Sequence, residues 1–385
     1  MEKHHGYPPG ATLVMKKLLS RYLKTIDWYI INKYLGTFVF TLGIFLAISV
    51  VFDISEHLDN FLSKNAPLNE IIFKYYAGFI PFYLMMLSPL INFLSVIFFT
   101  AKMANQTEIV PILTSKASFY RFLRPYFFSA TVIFVVSILA NIFVIPYTNK
   151  LKVDFESAYF FNGDDPTKAE VHIQLDKNTF VFLQSYDPQV HTGYQFMLEK
   201  FDGDEMKMRL TAPSITFDSV KTRWKINTPS IRYIDGLKEK FISNGPLIDT
   251  VLDMRPIDFE VHDNVNSNVY GGMPLSELNK LIDKEKIRGT GALIDMQFEK
   301  YRRFVEPLSS FVLAVIGVAI SSRKVRGGVG LPLGIGIFIC FVYIVVNRFA
   351  LVFAVKGGFE PLIAVLIPNI VFGILGWILL VKAPK

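Results

Sequence analysis

Apolar positions along this chain come in two rhythms, and the points where one gives way to the other divide it. Residues 34–52, 75–101, 125–149, 327–347 and 361–381 carry no charged side chain. Residues 304–322 form a sixth run, interrupted only by Glu306. A hydrocarbon core about 30 Å thick is crossed by about 20 residues of helix, and each run is close to that length. The pattern predicts six transmembrane helices in two triplets, one before residue 150 and one after 303.

Between the triplets the period shortens to two. Val171, Ile173 and Leu175 alternate with polar neighbours. Met206, Met208 and Leu210 do the same, as do Trp224 with Ile226, and Ile257, Phe259 and Val261. Turns such as Asp202-Gly203 separate the stretches. This alternation predicts half-buried antiparallel strands, and about eight of them point to a sandwich or jelly roll. Residues 274–287 then turn helical, with Ser276 placed to cap. A charged stretch at 292–307 leads into the fourth apolar run. The predicted organisation is an arm with an interfacial helix at 1–33, helices one to three at 34–149, a β domain with its helical lead-in at 150–303, and helices four to six at 304–385. Trp28, Tyr29 and Ile30 read as interfacial anchors of the first segment.

Composition agrees. The 385 residues are 51% hydrophobic, 15% aromatic and only 19% charged, too apolar for an ordinary soluble domain. Short-loop basic residues set the orientation. Lys3, Lys16, Lys17, Arg21, Lys24 and Lys33 precede the first run. Lys102, Lys116, Arg121 and Arg124 lie between the second and third. Arg323, Lys324 and Arg326 lie between the fourth and fifth, and Lys382 and Lys385 close the chain. The loop at 53–74 is instead acidic, with Asp53, Glu56, Asp59 and Glu70. Both termini are thus expected in the cytoplasm and residues 150–303 on the far side, the periplasm of a bacterium. The net charge of +7 follows from this bias and does not suggest a nucleic-acid partner. Cys340 is the only cysteine, so no intrachain disulfide forms. The first apolar run is too long for a cleavable signal peptide.

Catalytic motifs are missing. There is no phosphate-binding G-x-x-x-x-G-K-[ST] and no H-E-x-x-H. Gly330 and Gly334 form a G-x-x-x-G that reads as close helix packing. His57, His172, His191 and His262 are dispersed, without metal-ligand spacing. No catalytic residue, cofactor or metal is expected. The informative stretch is residues 101–125, where Glu108 is the one acid. Ile109, Ile112 and Leu113 follow at helical spacing, and Pro111 suits a first turn. A short helix at about 103–116 with an apolar ridge beside one carboxylate has two readings. It docks into a groove on another protein, the acid meeting a basic residue there, or it lies on lipid headgroups.

The stretch "NQTEIVPILTSKASFYRFLRP" resembles the cytoplasmic coupling segment of the LptF/LptG permease family. "KTIDWYIINKYLGTFVFTLGIFL", "FEKYRRFVEPLSSFVLAVIGVAIS" and "VLIPNIVFGILGWILL" are similar to other parts of the family, and the resemblance extends over about residues 15–383. The start and the short C-terminus look closer to the LptG branch. The resemblance implies a six-helix inner-membrane permease with an inserted periplasmic β-jellyroll. It implies pairing with a second LptF/LptG-type permease, an LptB-like ATPase dimer that binds the ATP, and LptC-like and LptA-like periplasmic proteins receiving lipopolysaccharide. Glu108, Ile109, Ile112, Leu113 and Ser115 would then carry ATPase coupling. Phe38 and Phe45 in the first span, and the cation Arg348 after the fifth apolar run, are candidates for the lipid path. One departure stands out: where relatives carry lysines just after the first span, this chain has Asp53, Glu56 and Asp59. Two other functions remain open, an exporter of a different amphiphile and a non-transporting scaffold presenting a β domain. A scaffold has no need of a docking helix.

Overall fold

The computed structural model describes residues 23–114, 118–160, 168–187, 190–243, 245–256, 259, 270–288, 292–323, 325 and 328–382. Among them, six helical spans are long and apolar enough to cross a membrane. The first is α1 (Thr25–Ser63) and the second α2 (Leu68–Asn105), which passes through a π-helical turn at Ile71–Tyr76. A short helix α3 (Ile109–Thr114) follows. The third span starts as α4 (Phe119–Leu139) and continues through a second π turn (Ala140–Val144) into α5 (Ile145–Tyr159). After the β domain come α6 (Leu275–Arg288) and α7 (Leu293–Val305). A 3-10 turn at Glu306–Leu308 joins α7 to α8 (Ser309–Ser321), and α9 (Gly330–Gly357) and α10 (Pro361–Val381) complete the set. The chain divides into two compact units. One gathers the described parts of residues 1–62, 76–148 and 300–385, the other residues 63–75 and those of 149–299.

In the first unit, α8 packs against α2, α4 and α10, and α9 lies against α2 and α10. Small residues allow this approach. A side chain on Gly317 of α8 would begin 2.8 Å from Val96 of α2, and one on Gly336 of α9 would meet Ile97. The G-x-x-x-G expected to do this does not. Gly330 and Gly334 have open space where a side chain would go. The close face of α9 is instead set by Pro332, Gly336, Cys340 and Tyr343, which are buried at helical intervals.

The first helix behaves differently from the rest. It runs unbroken for 39 residues, so the interfacial helix expected before residue 34 is simply its beginning. Trp28 and Tyr29 are exposed there, but Ile30 is 1% exposed and belongs to the bundle core rather than to an interface. The buried residues of α1 are Asp27, Ile30, Ile31, Tyr34 and Phe38 near its start, and Asp53 and Phe61 near its end. Between them Val39, Phe40, Ile44, Phe45, Ile48 and Val51 all stand exposed.

Among the described residues, the second unit holds one antiparallel sheet of eight strands: β1 (Lys168–Asp176), β2 (Thr179–Asp187), β3 (Thr192–Asp202), β4 (Glu205–Asp218), β5 (Arg223–Asn227), β6 (Ser230–Asp235), β7 (Lys238–Ile242) and β8 (Ile248–Thr250). The first five pair in chain order. Long β4 then forks, pairing β5 near its end and β6 nearer its start. The predicted alternation places Val171, Ile173, Leu210, Trp224 and Ile226 in one buried core. Trp224 donates its indole N–H to the Met254 carbonyl at 2.9 Å, satisfying the one polar atom of that ring. Phe259 lies in this core, while the rest of the strand expected around Ile257 and Val261 is outside the described residues. At the β4–β5 turn a hydrogen bond from Lys225, with backbone N–H groups, holds the Asp218 carboxyl below its usual range. Residues 63–75, expected with the membrane helices, join this unit because Tyr75 packs against Phe155 and Phe160 at 5.4 and 5.2 Å.

Candidate functional site

The stretch around Glu108 begins as a helix end. The Glu108 N–H donates to Met103 O at 3.0 Å, and the Thr107 N–H donates to Ala104 O at 3.1 Å. Thr107 itself has φ +60. These are the two bonds and the left-handed residue of a Schellman motif, usually built on glycine. The motif stops α2 and turns the chain directly into α3.

Helix α3 does not offer its aliphatic ridge outward. Ile109 is 2% exposed and lies in the bundle core with Met103, Phe119, Phe122 and Leu123. Ile112 packs on that core as well. The ridge predicted to meet a partner therefore anchors α3 to its own bundle. Burial there removes apolar area that a free helix of six residues would leave in water. The face left outward carries Val110, Pro111 and Thr114, beside half-buried Glu108. The Leu113 side chain and Ser115 lie outside the described residues.

Glu108 is also tied to α1. The Tyr29 hydroxyl donates to Glu108 Oε2 at 3.0 Å, and the Lys33 ammonium sits 5.7 Å from the Tyr29 ring centre. A second link lies close by in sequence. Arg121, in the first turn of α4, donates from Nη1 and Nη2 to the two carboxylate oxygens of Asp27, at 2.8 and 2.5 Å. Asp27 is 2% exposed and also accepts from the Lys24 N–H at 2.7 Å, closing the first turn of α1. Ser118 caps α4, accepting from the Arg121 N–H at 3.3 Å. The sequence pattern does not show Asp27, the bond of Tyr29 to Glu108 or this role of Arg121. Its one available signal was a lone acid just before an apolar run.

The lipid-path candidates separate. Phe38 is 9% exposed and packs in the bundle core with Tyr34 and Ile30, so it does not line an open surface. Phe45 lies on the exposed stretch of α1, and Arg348 is exposed on α9, eight positions before Lys356. At the far end of α1, Asp53 is buried. It accepts from the Tyr76 hydroxyl at 2.9 Å and lies 3.3 Å from His57 Nδ1. That acid thus has a structural task in the chain.

A polar seam runs through the bundle. The Tyr34 hydroxyl donates to Asn92 Oδ1 at 2.5 Å, and Asn92 Nδ2 donates to Ser310 O at 3.2 Å. Thr100 and Tyr126 share a hydrogen bond at 3.0 Å nearby. These bonds join α1, α2, α4 and α8 where hydrocarbon gives no alternative partner.

Two comparisons with known proteins bear on what such a bundle does. The model of a family described as lipopolysaccharide export system permease LptF/LptG matches residues 28–382, nearly the whole chain. A search of curated proteins found no match.

Proposed function

We propose that this chain, which belongs to the LptF/LptG family of lipopolysaccharide export permeases, is one of two paired permease subunits that lift lipopolysaccharide from the inner membrane. As a permease of that family with six apolar spans, it is a multi-pass inner-membrane protein and a transporter subunit. In our reading its termini face the cytoplasm and its β domain the periplasm, as the basic short loops suggest. A separate LptB-like ATPase dimer binds and hydrolyses ATP. The β domain passes lipid to LptC-like and LptA-like proteins leading towards the outer membrane. The match over residues 28–382 is the observation that carries this proposal.

Within it, α3 is the coupling helix. Glu108 is its acid, poised to meet a basic residue of the ATPase. The outward face of Val110, Pro111 and Thr114 takes the contact role first given to Ile109 and Ile112, and Leu113 and Ser115 stay with the proposed segment. The exposed apolar stretch of α1, with Phe45, and the cation Arg348 on α9 form this chain's side of the lipid path. An acyl chain gains by covering such a surface, and a cation beside apolar residues suits an anionic headgroup.

Native mass spectrometry of the complex purified through this chain tests the proposal. The expected result is an ATPase dimer, a second permease chain and bound lipopolysaccharide. A complex carrying a different amphiphile would overturn the substrate assignment, and a chain purified without any nucleotide-binding subunit would favour a scaffold.

A further inference from the structure

The two polar links at the start of α1 have a joint consequence. Tyr29 and Asp27 are two residues apart on α1. One binds Glu108, just before α3, and the other binds Arg121, just after the segment that follows α3. The docking segment is thus held to α1 on both of its flanks. Helix α1 is also the span least embedded in its neighbours: its apolar window is 0% buried, against 44% for α2 and 61% for the span containing α8. A push on the segment meets packed cores in α2, α4 and α8, and reaches α1 at its buried start, beyond which Val39, Phe40, Ile44 and Ile48 stand exposed. Motion follows the softer element, because packed interiors shift only between discrete arrangements.

We propose that Asp27, Arg121 and Tyr29 are positioning residues that transmit displacement of the ATPase-docking segment to the first span, so that nucleotide turnover moves α1 against the bundle. The inference rests on the coupling role proposed for α3. Asp27–Arg121 is the stiffer link, since both charges lose water and the fork of Arg121 fixes the angle as well as the distance. Tyr29–Glu108 is a single hydrogen bond at an exposed position. It reports on the same path without putting folding at risk.

The test uses the full complex with its ATPase and paired permease in proteoliposomes, in variants Asp27→Asn, Tyr29→Phe and the exchange Asp27→Arg with Arg121→Asp. Lipid released per ATP hydrolysed is measured, together with the amount of ATPase retained. Loss of the charged link should lower lipid per ATP by about ten-fold in Asp27→Asn with ATPase retention unchanged. Tyr29→Phe should lower it less, and the exchange should restore it in part. Spin labels at Phe40→Cys and Ile374→Cys on a Cys340→Ser background give a second readout. The distance between α1 and α10 should change with nucleotide in the parent and change by less in Tyr29→Phe, which decides the matter even where Asp27→Asn fails to accumulate. Unchanged lipid per ATP in both Asp27→Asn and Tyr29→Phe, or a nucleotide-dependent distance change as large in Tyr29→Phe as in the parent, overturns the proposal. Failure of the docking reading looks different: Val110→Glu would then keep its full complement of ATPase.

Discussion

Asn92 is fully buried, and both ends of its amide are in use, one by the Tyr34 hydroxyl and one by the Ser310 carbonyl. Replacing it with leucine keeps the approximate volume and removes both bonds. The buried Tyr34 hydroxyl would lose its partner at a cost of about 1–3 kcal/mol. Removing that hydroxyl too, as Tyr34→Phe with Asn92→Leu, should recover part of the loss, because no orphaned donor remains. Unfolding of the detergent-solubilised protein in a four-member mutant cycle checks this: the double variant should be more stable than Asn92→Leu alone, and strict additivity would contradict it. In the sequence, Asn92 is one polar residue in an uncharged run, and hydropathy passes over it. Thr107 is equally hidden. Its φ of +60 ends α2, yet a β-branched residue gives no sign of a left-handed turn. Such positions depend on contacts far along the chain, which local pattern does not encode.

Among the elements, the apolar runs and the alternating strands were legible because each rhythm is a direct image of which face is buried. All six spans and the strands around 171–175, 206–210 and 224–226 appear where the pattern predicts them. What a helix packs against was less legible. The ridge of α3 has the spacing of a docking helix, but Ile109 serves the chain's own core, since a periodic face says that burial occurs and not which molecule supplies it. The glycines make the same point. Gly330 and Gly334 match a motif yet face open space, while Gly317 lies against the stiff side chain of Val96. Gly317→Ala should therefore force α8 away from α2 and cost about 1–3 kcal/mol by overpacking. Gly330→Ala and Gly334→Ala should leave the unfolding midpoint unchanged or slightly raised. Thermal unfolding of the three variants side by side is the check, and a Gly317→Ala midpoint equal to that of Gly334→Ala would contradict the assigned packing.

At the scale of the whole molecule, two designs share one chain. A bundle bonded internally by Tyr34, Asn92, Thr100 and Tyr126 carries a long first helix embedded mainly near its ends, and a separate β unit closes its own core around Trp224 and Phe259. Its membership of the LptF/LptG family gives this arrangement a substrate class. The sequence was legible at this scale through the order of its elements, three runs, a β stretch and three runs, which no single motif carries. It was illegible for the Asp27–Arg121 and Tyr29–Glu108 links, because partners 94 and 79 positions apart leave no local trace. The most direct measurement of the central claim is ATP-dependent release of lipopolysaccharide from proteoliposomes containing this chain, its paired permease and the ATPase, with a periplasmic acceptor outside. Release that requires ATP and is lost in Glu108→Lys while both permease chains remain inserted is the predicted result. An assembled complex that hydrolyses ATP and releases no lipopolysaccharide would contradict it.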